Sequence, residues 1–167
     1  DHESPWTRKF VDDVMRYWVE EFHVDGYRMD LSKGFTSKNT LGNIGLFGQY
    51  DSSRVFNLTR MADEVWNYDS TTIIILEHFA DNSEEKVLSN TGFMLWGNHN
   101  YDYRNLSKGG AANVSWSSYK SRGWDNPYLV SYMESHDEER MMYTNTLEGA
   151  TLPSYNIKEP HLGLKRA

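Results

Sequence analysis

Apolar residues at Val11, Val14, Met15, Trp18 and Phe22 recur every third or fourth position, with Asp12, Asp13, Arg16 and Glu20 elsewhere on the wheel. That period predicts an amphipathic helix. Ser4-Pro5 supplies its start, with Ser as N-cap and Pro at the first helical position, and the pattern ends near Phe22. The period then shortens to two over Val24–Asp30, a short strand. Gly- and Ser-rich sequence from Ser32 to Ser53 reads as a long loop. A second helix is expected from about Arg54 to Tyr68, with Val55, Leu58, Ala62, Val65 and Trp66 on one face. Thr71–Leu76 is β-branched and apolar almost throughout, the signature of a strand buried on both faces of a parallel sheet. A short helix over Asn82–Leu88, a strand over Phe93–Trp96, a polar loop, a weaker helix over Asn113–Ser121 and a strand over Tyr128–Met133 complete the series. Helix and strand alternate throughout, so the expected fold is α/β with a parallel sheet and crossover helices. There is no internal repeat, low-complexity tract or interdomain linker.

Composition narrows the functions. The 167 residues suffice for one domain with a sizeable core. Lys plus Arg number 17 against 24 Asp plus Glu, a net charge of −7, and no basic patch stands out, which argues against nucleic acid as a partner. No apolar run is long enough for a membrane span. The absence of cysteine excludes disulfides and thiolate metal sites. Aromatics make up 14%. Most are expected in the core, but Trp96, Tyr101, Tyr103 and Trp124 lie among polar residues and Gly, where flat rings could serve as platforms for sugars.

Three acids close strand-like runs: Asp30 in Asp25-Gly-Tyr-Arg-Met-Asp30, Glu77 after Thr72-Ile-Ile-Ile-Leu, and Asp137 in Glu134-Ser-His-Asp137. Alternation along the first strand puts Arg28 on the same side as Asp30. A guanidinium there favours the ionised carboxylate, which on a rigid strand end is a nucleophile toward an anomeric carbon; taken alone, Arg-x-Asp fits a plain structural ion pair better. Glu77 stands at the lip of an aliphatic strand, where partial desolvation would suit a general acid, unless it simply emerges into solvent. His136-Asp137 could be a metal pair, a dyad or two groups for ligand hydroxyls. The six His show no metal-ligand spacing. A Ser135-His136-Asp137 relay fails because consecutive residues cannot line up. In parallel α/β folds ligands bind beyond the carboxyl ends of the strands, where all three acids are expected, and paired carboxyls there are what glycosidic cleavage requires.

These segments resemble the α-amylase family, glycoside hydrolase family 13. Asp25–Asp30 is similar to its second motif, Leu76-Glu77-His-Phe to its third and Glu134–Arg140 to its fourth, in the family's order, and Ser4–Phe22 is similar to the helix before the second motif. The resemblance implies a retaining mechanism on α-linked glucans, either oligosaccharide or polysaccharide. Asp30 would be the nucleophile, Glu77 the acid and base, and Asp137 with His136 would bind hydroxyls in the first subsite. Arg28 would orient Asp30, while Lys33 and Phe79 would contact the far side of the scissile bond. Ser135 stands where Asn is common, and Leu76 replaces a frequent Gly. Gly34 replaces a His that helps hold calcium in many members, so no metal or cofactor is expected. The first motif is missing, and Asn98-His99, which resembles its ending, comes after the third.

A complete (β/α)8 barrel needs about 250 residues. The resemblance therefore implies part of a TIM barrel, strands four to seven with their helices, as one partial catalytic domain over residues 1–167, without the first strands, the last strand or accessory domains. The initial Asp and the uncapped helix start over His161–Ala167 fit a piece of a longer protein. The fragment alone is expected to be inactive and to self-associate through open sheet edges. The alternatives are a non-catalytic glucan-binding homologue, an α-glucan transglycosylase, or a barrel enzyme of other chemistry.

Overall fold

The computed structural model describes residues 1–152, 155, 156 and 158. The expected helix over His161–Ala167 lies outside them. The elements in order are α1 (Pro5–Phe22), β1 (Gly26–Met29), a 3-10 turn (Ser32–Gly34), α2 (Ile44–Gly48), α3 (Ser52–Tyr68), β2 (Ile73–Leu76), α4 (Asn82–Thr91), β3 (Met94–Asn98) and α5 (Asn100–Ser107). A second 3-10 turn (Ser115–Ser117), β4 (Leu129–Tyr132), α6 (Met141–Glu148) and a two-stranded antiparallel pair, β5 (Thr151–Leu152) and β6 (Tyr155–Asn156), follow. The fold is α/β, with a parallel four-stranded sheet in the order β1-β2-β3-β4 alternating with helices.

The chain separates into two compact units, Asp1–Trp96 with Arg122–Leu129, and Gly97–Ser121 with Val130–Ala167. In the first, β1 and β2 pair in parallel with Gly26 opposite Ile73 and Met29 opposite Leu76. Gly26 is required there, because a Cβ at this position would lie 2.2 Å from the Ile73 carbonyl oxygen. The core is formed by Leu58, Met61, Ala62 and Val65 of α3, Ile74 and Leu76 of β2, Leu88 of α4, and Phe93 and Leu95 around β3. Asp51 caps α3 by accepting from the Ser53 amide at 2.9 Å, and Asp81 caps α4 by accepting from the Ser83 amide at 2.8 Å. In the second unit α5 and α6 meet through small polar groups. Ser107 donates to Asn145 Oδ1 at 2.9 Å, and Lys108 pairs with Glu148 at 2.7 Å.

Several expectations change. β2 is not buried on both faces: Ile74 and Leu76 are buried, but Ile73 is 48% exposed. Among the described residues, side chains on one face of the sheet pack against helices, as when the Tyr27 hydroxyl donates to the Met15 carbonyl of α1. The α1 stripe is likewise half covered. Met15 is buried, whereas Trp6, Phe10, Val14, Tyr17, Trp18 and Phe22 are exposed. α1 packs against α3 on one flank and accompanies an outer strand. The helix expected over Asn113–Ser121 is only a 3-10 turn; the helix lies earlier, at Asn100–Ser107. There the Asn98 side chain accepts from the Asn100 amide at 2.9 Å and turns the chain out of β3. The long loop over Ser32–Ser53 contains α2, started by Asn43, whose side chain accepts from the Leu46 amide at 2.9 Å. No helix among the described residues is long and apolar enough to cross a membrane.

Candidate active site

The β1–β2 register ends both strands at one level, so Asp30 and Glu77 leave the sheet side by side. The ladder continues past the strands. The Glu77 amide donates to the Met29 carbonyl at 3.1 Å and the Ser32 amide to the Glu77 carbonyl at 2.9 Å. Arg28 stands between the two acids. Its Nη1 bonds Asp30 Oδ1 at 2.5 Å and its Nη2 bonds Glu77 Oε2 at 2.6 Å. The guanidinium lies over the Trp96 ring, 4.3 Å from its centroid. Glu77 Oε2 also accepts from the Leu31 amide at 3.1 Å. Both of these bonds fall on the same oxygen. The two carboxyls differ in shelter. The Asp30 side chain is 78% exposed and that of Glu77 only 13%, so Glu77 does not simply emerge into solvent.

Lys33 and Phe79 also come together here. Lys33 Nζ donates to the Phe79 carbonyl at 3.2 Å and lies 5.0 Å from the Phe47 ring centroid. Leu31 and Phe79 take left-handed backbone angles, φ 42° and 50°, that side-chain-bearing residues adopt only when their surroundings impose them. One such residue follows Asp30 and the other lies two beyond Glu77.

Beneath these turns lies a polar chain that sequence reasoning missed. Ser32 Oγ meets His78 Nδ1 at 2.8 Å, and His78 Nε2 meets Glu84 Oε1 at 2.7 Å. Arg54 grips Glu84 with Nε at 2.6 Å and Nη2 at 2.8 Å. All four residues are fully buried. Burial disfavours the Glu84 carboxylate, but bonds from His78, Arg54 and the Asp51 amide outweigh it and hold its pKa below the usual value. Burial lowers the His78 pKa. Glu85, the next residue, faces Arg122 at 3.0 Å, and burial pushes its pKa up to about 7. The only sequence signal for this chain was the proximity of Ser32 to Asp30 and of His78 to Glu77.

Asp137 and His136 belong to the second unit. His136 Nε2 lies 3.3 Å from Asp137 Oδ1, and both side chains are more than half exposed. Glu138 organises their turn. It accepts from the Ser135 amide at 2.9 Å and hydroxyl at 2.5 Å, and from the Asn98 side chain at the end of β3. Met141 donates its amide to Glu134 Oε1 at 2.5 Å, and Arg140 donates to the Ser135 carbonyl at 2.9 Å. Of the four aromatic platforms expected, Trp124 is buried and donates its indole N–H to Asn82 at 2.9 Å, and Trp96 lies against Arg28. Tyr101 is 77% exposed. Among the described residues no three metal-ligating side chains cluster.

Comparison with known proteins gives short local likenesses. Over 32 residues the chain is 53% identical to isoamylase SU1, chloroplastic, of Zea mays, covering 19% of this chain and 4% of that protein. The same identity, length and shares hold for isoamylase 1, chloroplastic, of Oryza sativa subsp. japonica. Over 37 residues it is 46% identical to isoamylase 1, chloroplastic, of Arabidopsis thaliana, covering 22% of this chain and 5% of that protein. The matched segment thus spans about one twentieth of the length of these curated relatives. No family model matches.

Proposed function

We propose that this chain carries the catalytic acids of a retaining glycosidase acting on α-linked glucans. The observation that carries the reading is the single Arg28 guanidinium that contacts both Asp30 and Glu77. Two carboxyls on one fork suit the separation of a retaining pair, about 5–5.5 Å, better than the wider gap of about 6.5–9.5 Å that an inverting pair needs to admit water. The local likeness to isoamylases and the three motif resemblances favour the same substrate class.

In this reading the Asp30 carboxylate attacks the anomeric carbon while Glu77 protonates the departing glycosidic oxygen. The covalent glycosyl ester is then hydrolysed by a water whose proton goes to Glu77, and Asp30 leaves as carboxylate. The exposure of Asp30 suits an atom that must reach substrate. Arg28, backed by Trp96, orients both carboxyls. Lys33 and Phe79 flank the far side of the scissile bond, and His136 with Asp137 offers an exposed pair for sugar hydroxyls. Strands in sequential order with right-handed crossovers would put every crossover helix on one face, as in a (β/α)8 barrel. We therefore read residues 1–167 as a partial barrel domain, inactive alone and prone to associate through β1 and β4, the outer strands. In the intact protein a mechanism-based glycosyl fluoride should esterify Asp30, and Asp30→Asn should abolish both labelling and glucan cleavage. Labelling elsewhere, or cleavage by the variant, would refute this reading.

A further inference from the structure

Ser32, His78 and Glu84 have the connectivity of a nucleophile–base–acid relay, yet they cannot act as one. Each is fully buried, so no substrate carbonyl or anomeric centre can reach the Ser32 hydroxyl. What the chain does touch is the backbone beside both candidate catalytic acids. Ser32 is two residues beyond Asp30, and His78 is adjacent to Glu77. Arg54, besides gripping Glu84, donates to the carbonyls of Lys33 at 3.1 Å, Phe47 at 3.1 Å and Gln49 at 2.9 Å. The same Glu84 accepts from the Asp51 amide at 2.7 Å. The chain is thus tied to the turn after β1, the turn after β2 and the segment that leads into α3.

We propose that His78 is a positioning residue. By joining Ser32 to the Glu84–Arg54 ion pair it locks the turn after Asp30 to the turn after Glu77 and so sets the spacing of the two carboxyls. Its catalytic consequence rests on the glycosidase reading above; the locking of the turns does not.

The hydrogen atoms can be assigned one by one. Glu84 is held as a carboxylate by Arg54, so the His78 nitrogen facing it, Nε2, carries the hydrogen. Burial keeps the imidazole neutral, which leaves Nδ1 as an acceptor for the Ser32 hydroxyl hydrogen. The Glu77 carbonyl lies 3.0 Å from the Ser32 hydroxyl and competes for its single hydrogen, but it already accepts from the Ser32 amide at 2.9 Å, whereas His78 Nδ1 is the nearer acceptor at 2.8 Å. Every group in the chain has a partner in this one arrangement, and both left-handed residues, Leu31 and Phe79, sit directly beside it. A buried, fully satisfied chain of this kind favours one geometry and adds to the direct bonds between the two turns.

The test uses the intact protein and the variants Ser32→Ala, His78→Gln and His78→Leu. The locked turns should be seen first by hydrogen exchange. Ser32→Ala should speed exchange over residues 31–33 at least tenfold while leaving α4 protected. Long-range nitrogen–proton NMR should report His78 as the Nε2–H tautomer. On a soluble maltooligosaccharide, Ser32→Ala should lower kcat at least tenfold with KM within twofold. His78→Gln, which keeps an N–H for Glu84, should retain more of kcat than His78→Leu. The Ser32→Ala/His78→Gln double variant should lose little beyond the worse single one, because both cut one chain. Unchanged exchange in Ser32→Ala, or an Nδ1–H tautomer, would overturn the proposal. So would native kcat in every variant of a protein that does cleave glucan. Faster exchange in a protein whose Asp30 is never labelled would uphold the lock and refute only the glycosidase reading. Should the His78 variants fail to fold, the His78 tautomer, read in the unaltered protein, still decides, because Ser32→Ala also removes the hydroxyl's contact with the Glu77 carbonyl.

Discussion

The turns after β1 and β2 and the turn after β4 each present an acid singled out by sequence, and they are built by opposite means. Behind Asp30 and Glu77 stands a buried chain of Ser32, His78, Glu84 and Arg54, over an apolar core drawn from α3, β2, α4 and β3. Around Asp137 the bonds run among exposed or half-exposed side chains, Ser135, Glu138, Arg140 and His136. The difference follows from the work proposed for each. Groups that form and break a covalent bond must be held within a fraction of an ångström, and a dry polar chain does that. A pair that binds hydroxyls needs reach more than rigidity, and exposed bonds suffice.

The comparison is most easily broken at Gly26. Gly26→Ala would drive a Cβ into the Ile73 carbonyl and separate β1 from β2. Destabilisation above about 4 kcal/mol is expected, seen as loss of the cooperative melting transition. Next comes the buried ion pair. Arg54→Met strands Glu84 without its partner and should cost about 3–5 kcal/mol in denaturant unfolding. A cost below about 1 kcal/mol would mean that the two regions are built alike.

pH sharpens the contrast further. Burial raises the Glu85 pKa from 4.5 to about 7, so the folded protein binds a proton that the unfolded chain releases between those values. Stability from this group is therefore present below about pH 4.5 and lost as pH rises toward 7. Asp51 works in the opposite sense. Burial opposes its charge, but bonds from Thr36 and Ser53 win and lower its pKa to about 2, so its contribution is present above 3.8 and lost as pH falls toward 2. Glu85→Gln should flatten the fall in melting temperature between pH 5 and 7, and an unchanged slope would exclude Glu85 as its source. The smallest effects belong to the second unit. Lys108→Ala removes a partly exposed pair and should cost under about 1 kcal/mol. Asp137→Asn should leave the melting temperature unchanged while raising KM for glucan in the intact protein.

Parts of the site were legible because their signals are local. Arg28 and Asp30 share a strand face by simple alternation, and Glu77 follows an aliphatic run that ends where the strand ends. Arg54 shows the limit. It reads as the polar start of a helix, since nothing in the surrounding residues says that Glu84, thirty positions on, will meet it in the dark of the core. Trp18 and Phe22 show the reverse error. Helical spacing marks them as buried, yet burial requires a neighbour to cover them, and among the described residues both are exposed. Trp124 reads as a surface platform because its sequence neighbours are polar, but its indole N–H finds Asn82 and the ring goes inside.

By itself the sequence determined the alternation of helix and strand, the approximate bounds of α1, α3, β1, β2, β3 and β4, and the placing of Asp30 and Glu77 at strand ends, whereas Asp137 lies in the turn beyond β4. These depend on periodicity and on backbone preferences that act over a few residues. Only the tertiary structure decided the β1–β2 register that sets Asp30 beside Glu77, the close approach that demands Gly26, the sharing of Arg28 by two carboxyls and the buried chain through His78. Each of those is a distance between residues far apart in the chain, and the burial of a charge is settled by whether a partner arrives to meet it.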